Sequence, residues 1–173
     1  MKKLSIILSL LLLGVLLTTV VPSPVTSGIG WSTPTKLTSN TANDYNPSIS
    51  GDGSKIAFNS YVGGDDEIFV INSDGTGLTQ LTSNSALDSG QCISGDGSKI
   101  AFFSDLDGDD EIFVINSDGT GLTQLTSNTA FDIFPSISGD GSKIAFQSDV
   151  LGDYEIFVVN SDGTGLTLSL IHI

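Results

Sequence analysis

Ile49-Ser50-Gly51-Asp52-Gly53-Ser54-Lys55-Ile56-Ala57-Phe58 is followed, after a short variable gap, by Glu67-Ile68-Phe69-Val70-Ile71-Asn72-Ser73-Asp74-Gly75-Thr76-Gly77-Leu78-Thr79. The same two stretches return at 93–102 with 111–123, and again at 137–146 with 155–167. Leu37, Leu81 and Leu125 stand 44 residues apart. A fixed period of that size marks a repeat architecture, in which each unit hides its apolar faces against its neighbours.

Within one period the punctuation predicts four short strands. Residues 46–50 form the first, A, and Gly51-Asp52-Gly53 turns the chain, because Gly supplies positive φ and Asp caps its own backbone. Residues 55–60 form strand B by alternation of Ile56 and Phe58 with Ala57. Residues 67–72 form strand C, whose unbroken Ile-Phe-Val-Ile run predicts burial on both faces. The second turn, 73–77, leads to strand D at 78–82. Four strands per period of 44, with no helical pattern, predict propeller blades. A parallel β-helix would not need two hairpin turns per period, and a transmembrane barrel would alternate through residues 68–71. The expected fold is therefore all-β: a partial β-propeller of three four-stranded antiparallel blades at 37–80, 81–124 and 125–167.

The repeated pattern resembles the TolB-type, WD-like propeller repeat. It reads Pro47-Ser48-Ile49-Ser50 with Asp52-Gly53 and residues 55–58, then Gly64 and residues 67–70, then Asp74-Gly75 and residues 78–82. Phe69, Phe113 and Phe157 stand where that family commonly has Tyr, Gly51 where it commonly has Pro, and Gln91 replaces the proline of the other two repeats. The resemblance implies a ring of six blades, half of them beyond these repeats. It also implies a choice of settings: the periplasmic partner of the Tol-Pal system, surface-layer and secreted proteins, or the gating propeller of prolyl-oligopeptidase-like peptidases. A propeller fold alone does not choose among them.

Outside the repeats, Met1-Lys2-Lys3 and an apolar run to Val21 describe a secretory leader, with cleavage expected before Gly28. At 18 residues the run from Leu4 is also long enough for an uncleaved anchor, the one route to a membrane. Segment 1–27 is thus a signal peptide or anchor, and 28–36 a linker with a closing strand at Thr35-Lys36. The protein is expected to be exported, to the periplasm, the cell surface or the medium. Residues 168–173 break the period and back-translate to a transposon end used in sequencing libraries, so that tail is expected to be non-native.

Acidic residues number 20 against 6 lysines and no arginine, and two of those lysines lie in the leader. Such a surface repels phosphate backbones, so nucleic acid is not an expected partner. The lone Cys92 stands where the other repeats have Ser48 and Ser136, which is the place of a small strand residue. The single histidine, His172, lies in the suspect tail. Without it no Ser-His-Asp or Cys-His arrangement can be assembled, nor a His/Cys zinc site. The remaining carboxylates read as solvated turn caps. One cluster rises above that reading: Asp105, Asp107, Asp109 and Glu111 alternate around Gly108, an oxygen-rich loop of the kind calcium takes. Calcium is the one cofactor considered.

Differences between the repeats supply the functional expectation. The first and second differ at 10 of 44 positions, mostly before strand A or around the B–C connection. In an antiparallel blade those two connections share one side of the disc, and the nearly invariant A–B and C–D turns share the other. Variable loops on a rigid scaffold are where recognition resides. Tyr45, Asn46, Tyr61, Phe131, Ile133, Phe134, Leu151 and Tyr154 are the candidate contact residues, for a protein partner or a glycan; Ile133 and Phe134 are equally placed to pack between blades. The expected role is non-catalytic binding. The alternatives are the propeller of a prolyl-oligopeptidase-like hydrolase and a surface-layer or adhesion component.

Overall fold

The computed structural model describes residues 33–168; the leader, the start of the linker and residues 169–173 lie outside them. Blade 1 comprises β1 (Asp44–Ile49), β2 (Lys55–Val62), β3 (Asp65–Asn72) and β4 (Thr79–Gln80). Blade 2 comprises β5 (Asp88–Ile93), β6 (Lys99–Ser104), β7 (Glu111–Asn116) and β8 (Thr123–Gln124). Blade 3 comprises β9 (Asp132–Ile137), β10 (Lys143–Ser148), β11 (Glu155–Asn160) and β12 (Thr167–Leu168). Each blade is one four-stranded antiparallel meander in chain order. The all-β partial propeller of four-stranded blades read from the period is thus the fold observed among the described residues.

Burial shows why the blades need one another. Ile68, Val70 and Ala57 on one side of blade 1 share a core with Ile93, Ile100, Phe102, Phe113 and Ile115 of blade 2. Ala101 and Ile112, on the other face of blade 2, share the next core with Ile144, Phe146, Phe157 and Val159 of blade 3. Strand β7 is buried along its whole apolar run because it has a blade on each side. Ile156, its counterpart to Ile112, is 51% exposed because no described residue covers that face of blade 3. Within each blade one phenylalanine of strand B stacks on one of strand C, as Phe102 does on Phe113 at 5.7 Å between ring centroids.

One local expectation is corrected. Strand D spans two residues, not five, because Leu81 turns inward: its N–H donates to Ile68 O at 2.7 Å and its side chain joins the core of blades 1 and 2. Thr35 and Lys36 lie in no sheet among the described residues, which hold only the three blades and no further blade for that segment to close. Leu37 still packs on Phe58, Phe69 and Ile71, as Leu81 and Leu125 pack on the blades that follow them.

The A–B turns link the blades on one side of the disc. Gly51 N–H donates to Gly95 O, and Asp96 N–H to Gly139 O, both at 2.9 Å. A Cβ on Gly51 would stand 3.0 Å from Gly95 O, so this close approach explains why glycine replaces the proline of the family pattern. Lys55 Nζ donates to Ser117 Oγ at 2.6 Å and Lys99 Nζ to Ser161 Oγ at 2.7 Å, each reaching the C–D turn of the next blade. Turn geometry and neighbour contacts thereby account for the constancy of that side.

Candidate binding face

The opposite side carries the D–A and B–C connections, and in every blade the two are tied together. Tyr61 N–H donates to Asn43 O at 3.1 Å in blade 1. Leu87 N–H donates to Asp105 Oδ1 at 2.7 Å in blade 2, and Phe131 N–H to Asp149 Oδ1 at 2.9 Å in blade 3. Each blade therefore presents one composite loop. Tyr45, Asn46, Tyr61, Phe131, Phe134, Leu151 and Tyr154 are exposed there, and Ile133 is half-buried. They fall into two groups, on blades 1 and 3. Between them blade 2 presents Leu87, Ser89, Gly90, Asp105, Asp107 and Asp110 at the equivalent positions, so aromatic ground flanks a centre of three aspartates and the exposed Leu87.

Part of the repeat variation belongs to packing instead of recognition. Asn46, Gly90 and Phe134 occupy the same bulge in strand A, with φ of 50°, 64° and 53°. The strand B residue paired just before the bulge, Asn59, Phe103 or Gln147, differs along with its occupant. Asn46 Nδ2 donates to the buried Asn59 Oδ1 at 3.0 Å. Gly90 leaves room for Phe103, whose Cε1 would lie 2.4 Å from a Cβ at position 90. In blade 3 that register position is Gln147, paired with Ile133 beside the bulge, and Phe134 meets Phe103 of blade 2 edge-on at 6.1 Å between centroids. Phe134 is thus both an inter-blade contact and an exposed ring, 63% accessible. A bulky residue at positive φ is an outlier that the surrounding structure must hold in place.

Reading the carboxylates outside the blade 2 cluster as solvated caps, and that cluster as a surface loop, missed the polar layer beneath this face. Glu67, Asp88, Glu111 and Asp132 are buried at the blade junctions. Asn84 N–H donates to Glu67 Oε1 at 2.8 Å, and its side-chain amide donates to Asp88 Oδ2 at 2.8 Å. Asn128 repeats both contacts with Glu111 and Asp132. Glu67 Oε2, Asp88 Oδ1, Glu111 Oε2 and Asp132 Oδ1 are buried without a hydrogen-bond partner. Burial, reinforced by Asp132, pushes the Glu111 carboxyl up to about 7 against the Thr126 and Asn128 hydrogen bonds that oppose the shift. Burial likewise raises Glu67, with Asp88 and Asp65 adding to it. The recurrence of Glu and Asp in each period was visible; their burial was not, because strand and loop positions look alike beside a turn.

The turn aspartates do behave as caps. Asp52 accepts from Ser50 Oγ, Ser54 N–H and Ser54 Oγ, which lowers its carboxyl to about 2. Of the four candidate calcium ligands, Asp107, Asp109 and Glu111 converge, each with a carboxylate oxygen within 4.8 Å of the others. Asp105 is absent from that group, its Oδ1 accepting from Leu87 N–H. Cys92 packs in the core between blades 2 and 3, and burial pushes its thiol up to about 11, which keeps it protonated and unreactive.

Residues 89–169 match the family model described as the TolB beta propeller domain. A structure assigned as TolB from Agrobacterium tumefaciens superposes with a TM-score of 0.66 at 26% identity, covering 76% of this chain and 50% of that one. TolB from Acinetobacter baumannii gives 0.59 at 24% identity, covering 70% of this chain and 31% of that one. A puromycin-hydrolyzing peptidase from Mycobacterium tuberculosis gives 0.62 at 15% identity, covering 80% of this chain and 23% of that one. No curated protein matches. The blades are TolB-like β-propeller blades, and the chain spans half or less of the length of these solved relatives.

Proposed function

We propose that the protein is an exported TolB-like propeller that binds another envelope or extracellular protein, without catalysis, through the face carrying the D–A and B–C connections. The observation that carries this reading is the division of the disc. One side holds exposed Tyr45, Tyr61, Phe131, Leu151 and Tyr154 on loops that differ between repeats, and the other is spent on turns that bind neighbouring blades. Rings of this kind supply large, rigid contact area at interfaces. No histidine or arginine stands among the described residues, which supports a non-catalytic role for this part of the protein. The same rings would suit a glycan, the alternative ligand class.

Site-specific photo-crosslinking in the exporting cell tests the proposal. A photoreactive residue at Tyr61 and, separately, at Tyr154 is expected to trap the same protein, while one at Ser73 on the opposite side traps none. Equal capture from Ser73, or no protein adduct from either tyrosine, would remove the reading. The likeness to the peptidase supports a second reading, a propeller beside a hydrolase domain. Coding sequence continuing past residue 173 into a Gly-x-Ser-x-Gly on an α/β pattern would favour it.

A further inference from the structure

The tetrapeptide Leu-Thr-Ser-Asn stands at 37–40, 81–84 and 125–128, and its second and third copies clasp the two internal blade junctions. Leu81 N–H donates to Ile68 O at 2.7 Å, Thr82 Oγ1 accepts from Ile68 N–H at 2.9 Å, and Asn84 N–H donates to Glu67 Oε1 at 2.8 Å. Leu125, Thr126 and Asn128 repeat all three bonds on Ile112 and Glu111. Glu155 and Ile156 of blade 3 have no such clasp among the described residues, and the sequence after Leu168 does not repeat the tetrapeptide. Leu37-Thr38-Ser39-Asn40 is the spare copy. It precedes blade 1, where Leu37 packs on Phe58, Phe69 and Ile71.

Packing at the two outer faces shows the same division. Ala57, Ile68 and Val70 are buried under blade 2, whereas Ala145, Ile156 and Val158 on the same face of blade 3 are partly or fully open. At the other end, Ile49 is 60% exposed where Ile93 of blade 2 is 7% exposed. A Cβ on Gly51 or Gly95 would meet the glycine of the next blade at 3.0 Å, and one on Gly139 would meet nothing within 4 Å. Lys55 and Lys99 reach a serine of the next blade, while Lys143 turns back to Asn160 Oδ1 at 3.0 Å. Blade 3 therefore carries one half of a junction and blade 1 the other, built of the residue types that meet inside the chain.

We propose that two copies of this chain associate head to tail, each setting the outer face of its blade 1 on the open face of the other's blade 3. Leu37 and Thr38 then clasp Ile156 of the other copy, Asn40 N–H donates to its Glu155, and its Lys143 reaches Ser73. Both halves of the junction lie on one chain, so the occupant of each open face is a second copy of that chain. Two chains of three blades give six, within the four to eight with which propellers close. A head-to-tail contact whose rotation closes makes a ring and not a filament. Burial of Ile49 and Ile156 supplies the driving force.

Multi-angle light scattering on a sizing column, applied to the full chain purified from the exporting cell, tests this. The expected mass is that of two chains, falling to one on dilution, when Ile156 is exposed again. Ile156→Glu and Ile49→Glu each place a charge in one half of the junction. Both variants should run as single chains at the parent's concentration, with unchanged circular dichroism. Leu122→Glu, at a rim position exposed in every blade, should remain a dimer. A parent that runs as one chain at its highest soluble concentration would overturn the proposal. So would a series of larger assemblies, a dimer surviving in I156E or I49E, or a dimer lost in L122E.

Discussion

Replacing Phe134 by glycine and by alanine should reverse the usual order of those two residues in a strand. Phe134 sits at φ 53°, a left-handed conformation that costs an L-residue about 1–2 kcal/mol. Alanine keeps that cost and removes the edge-on contact with Phe103, worth about 0.5–1.5 kcal/mol. The ring is largely exposed, so little further burial is lost. Glycine loses the same contact and relieves the backbone, against an entropic cost of about 0.5–1 kcal/mol. F134G should therefore unfold at higher urea concentration than F134A, by roughly 0.5–1 kcal/mol in stability. Gly90 already fills this bulge in blade 2, so the geometry accepts glycine. Urea unfolding of the full chain at constant m-value is the assay. An alanine variant as stable as the glycine variant, or more so, would refute both the strain and its assignment to this bulge.

Blade stacking predicts unequal costs for equivalent isoleucines: Ile112→Ala, buried between blades, should cost about 2–5 kcal/mol, and Ile156→Ala well under half of that, read by the same unfolding assay. Gly51→Pro should lose the N–H bond to Gly95 O and press a ring on an oxygen 3.0 Å from the Cβ position, destabilising by about 1–3 kcal/mol in thermal unfolding. The pH profile follows from opposite shifts. Glu111 is raised from 4.5 to about 7, so its contribution is fully present below 4.5 and is lost as pH rises through 7. Asp52 and Asp140 are lowered from 3.8 to about 2, so theirs is present above 3.8 and lost as pH falls toward 2. Melting temperature without divalent ions should peak near the ordinary carboxyl range and decline toward neutral pH, and Glu111→Gln should flatten that decline.

Periodicity made the blades legible because stacking requires the same apolar run in every unit: the Ile-Phe-Val-Ile of strand C is continuous since a blade lies on each side. Boundaries were less legible where one inward residue ends a strand, as Leu81 does. The exposed rings of the loop face could be read from variation between repeats. Variation at 46, 90 and 134 could not be sorted into recognition and packing, because the partner at 59, 103 or 147 lies across the sheet. The junction carboxylates stayed hidden for the same reason: Glu111 meets Asp132 of the next blade.

The chain supplies its own most direct test of the loop-face account. Exchanging Tyr45→Ser, Tyr61→Asp, Phe131→Leu and Tyr154→Asp gives blades 1 and 3 the residues that blade 2 carries at the same positions. With the partner trapped by crosslinking as ligand, the affinity of this variant is to be measured beside its melting temperature. Binding abolished with the melting temperature within a few degrees of the parent is the expected result. Binding retained in a folded variant would contradict recognition through this face.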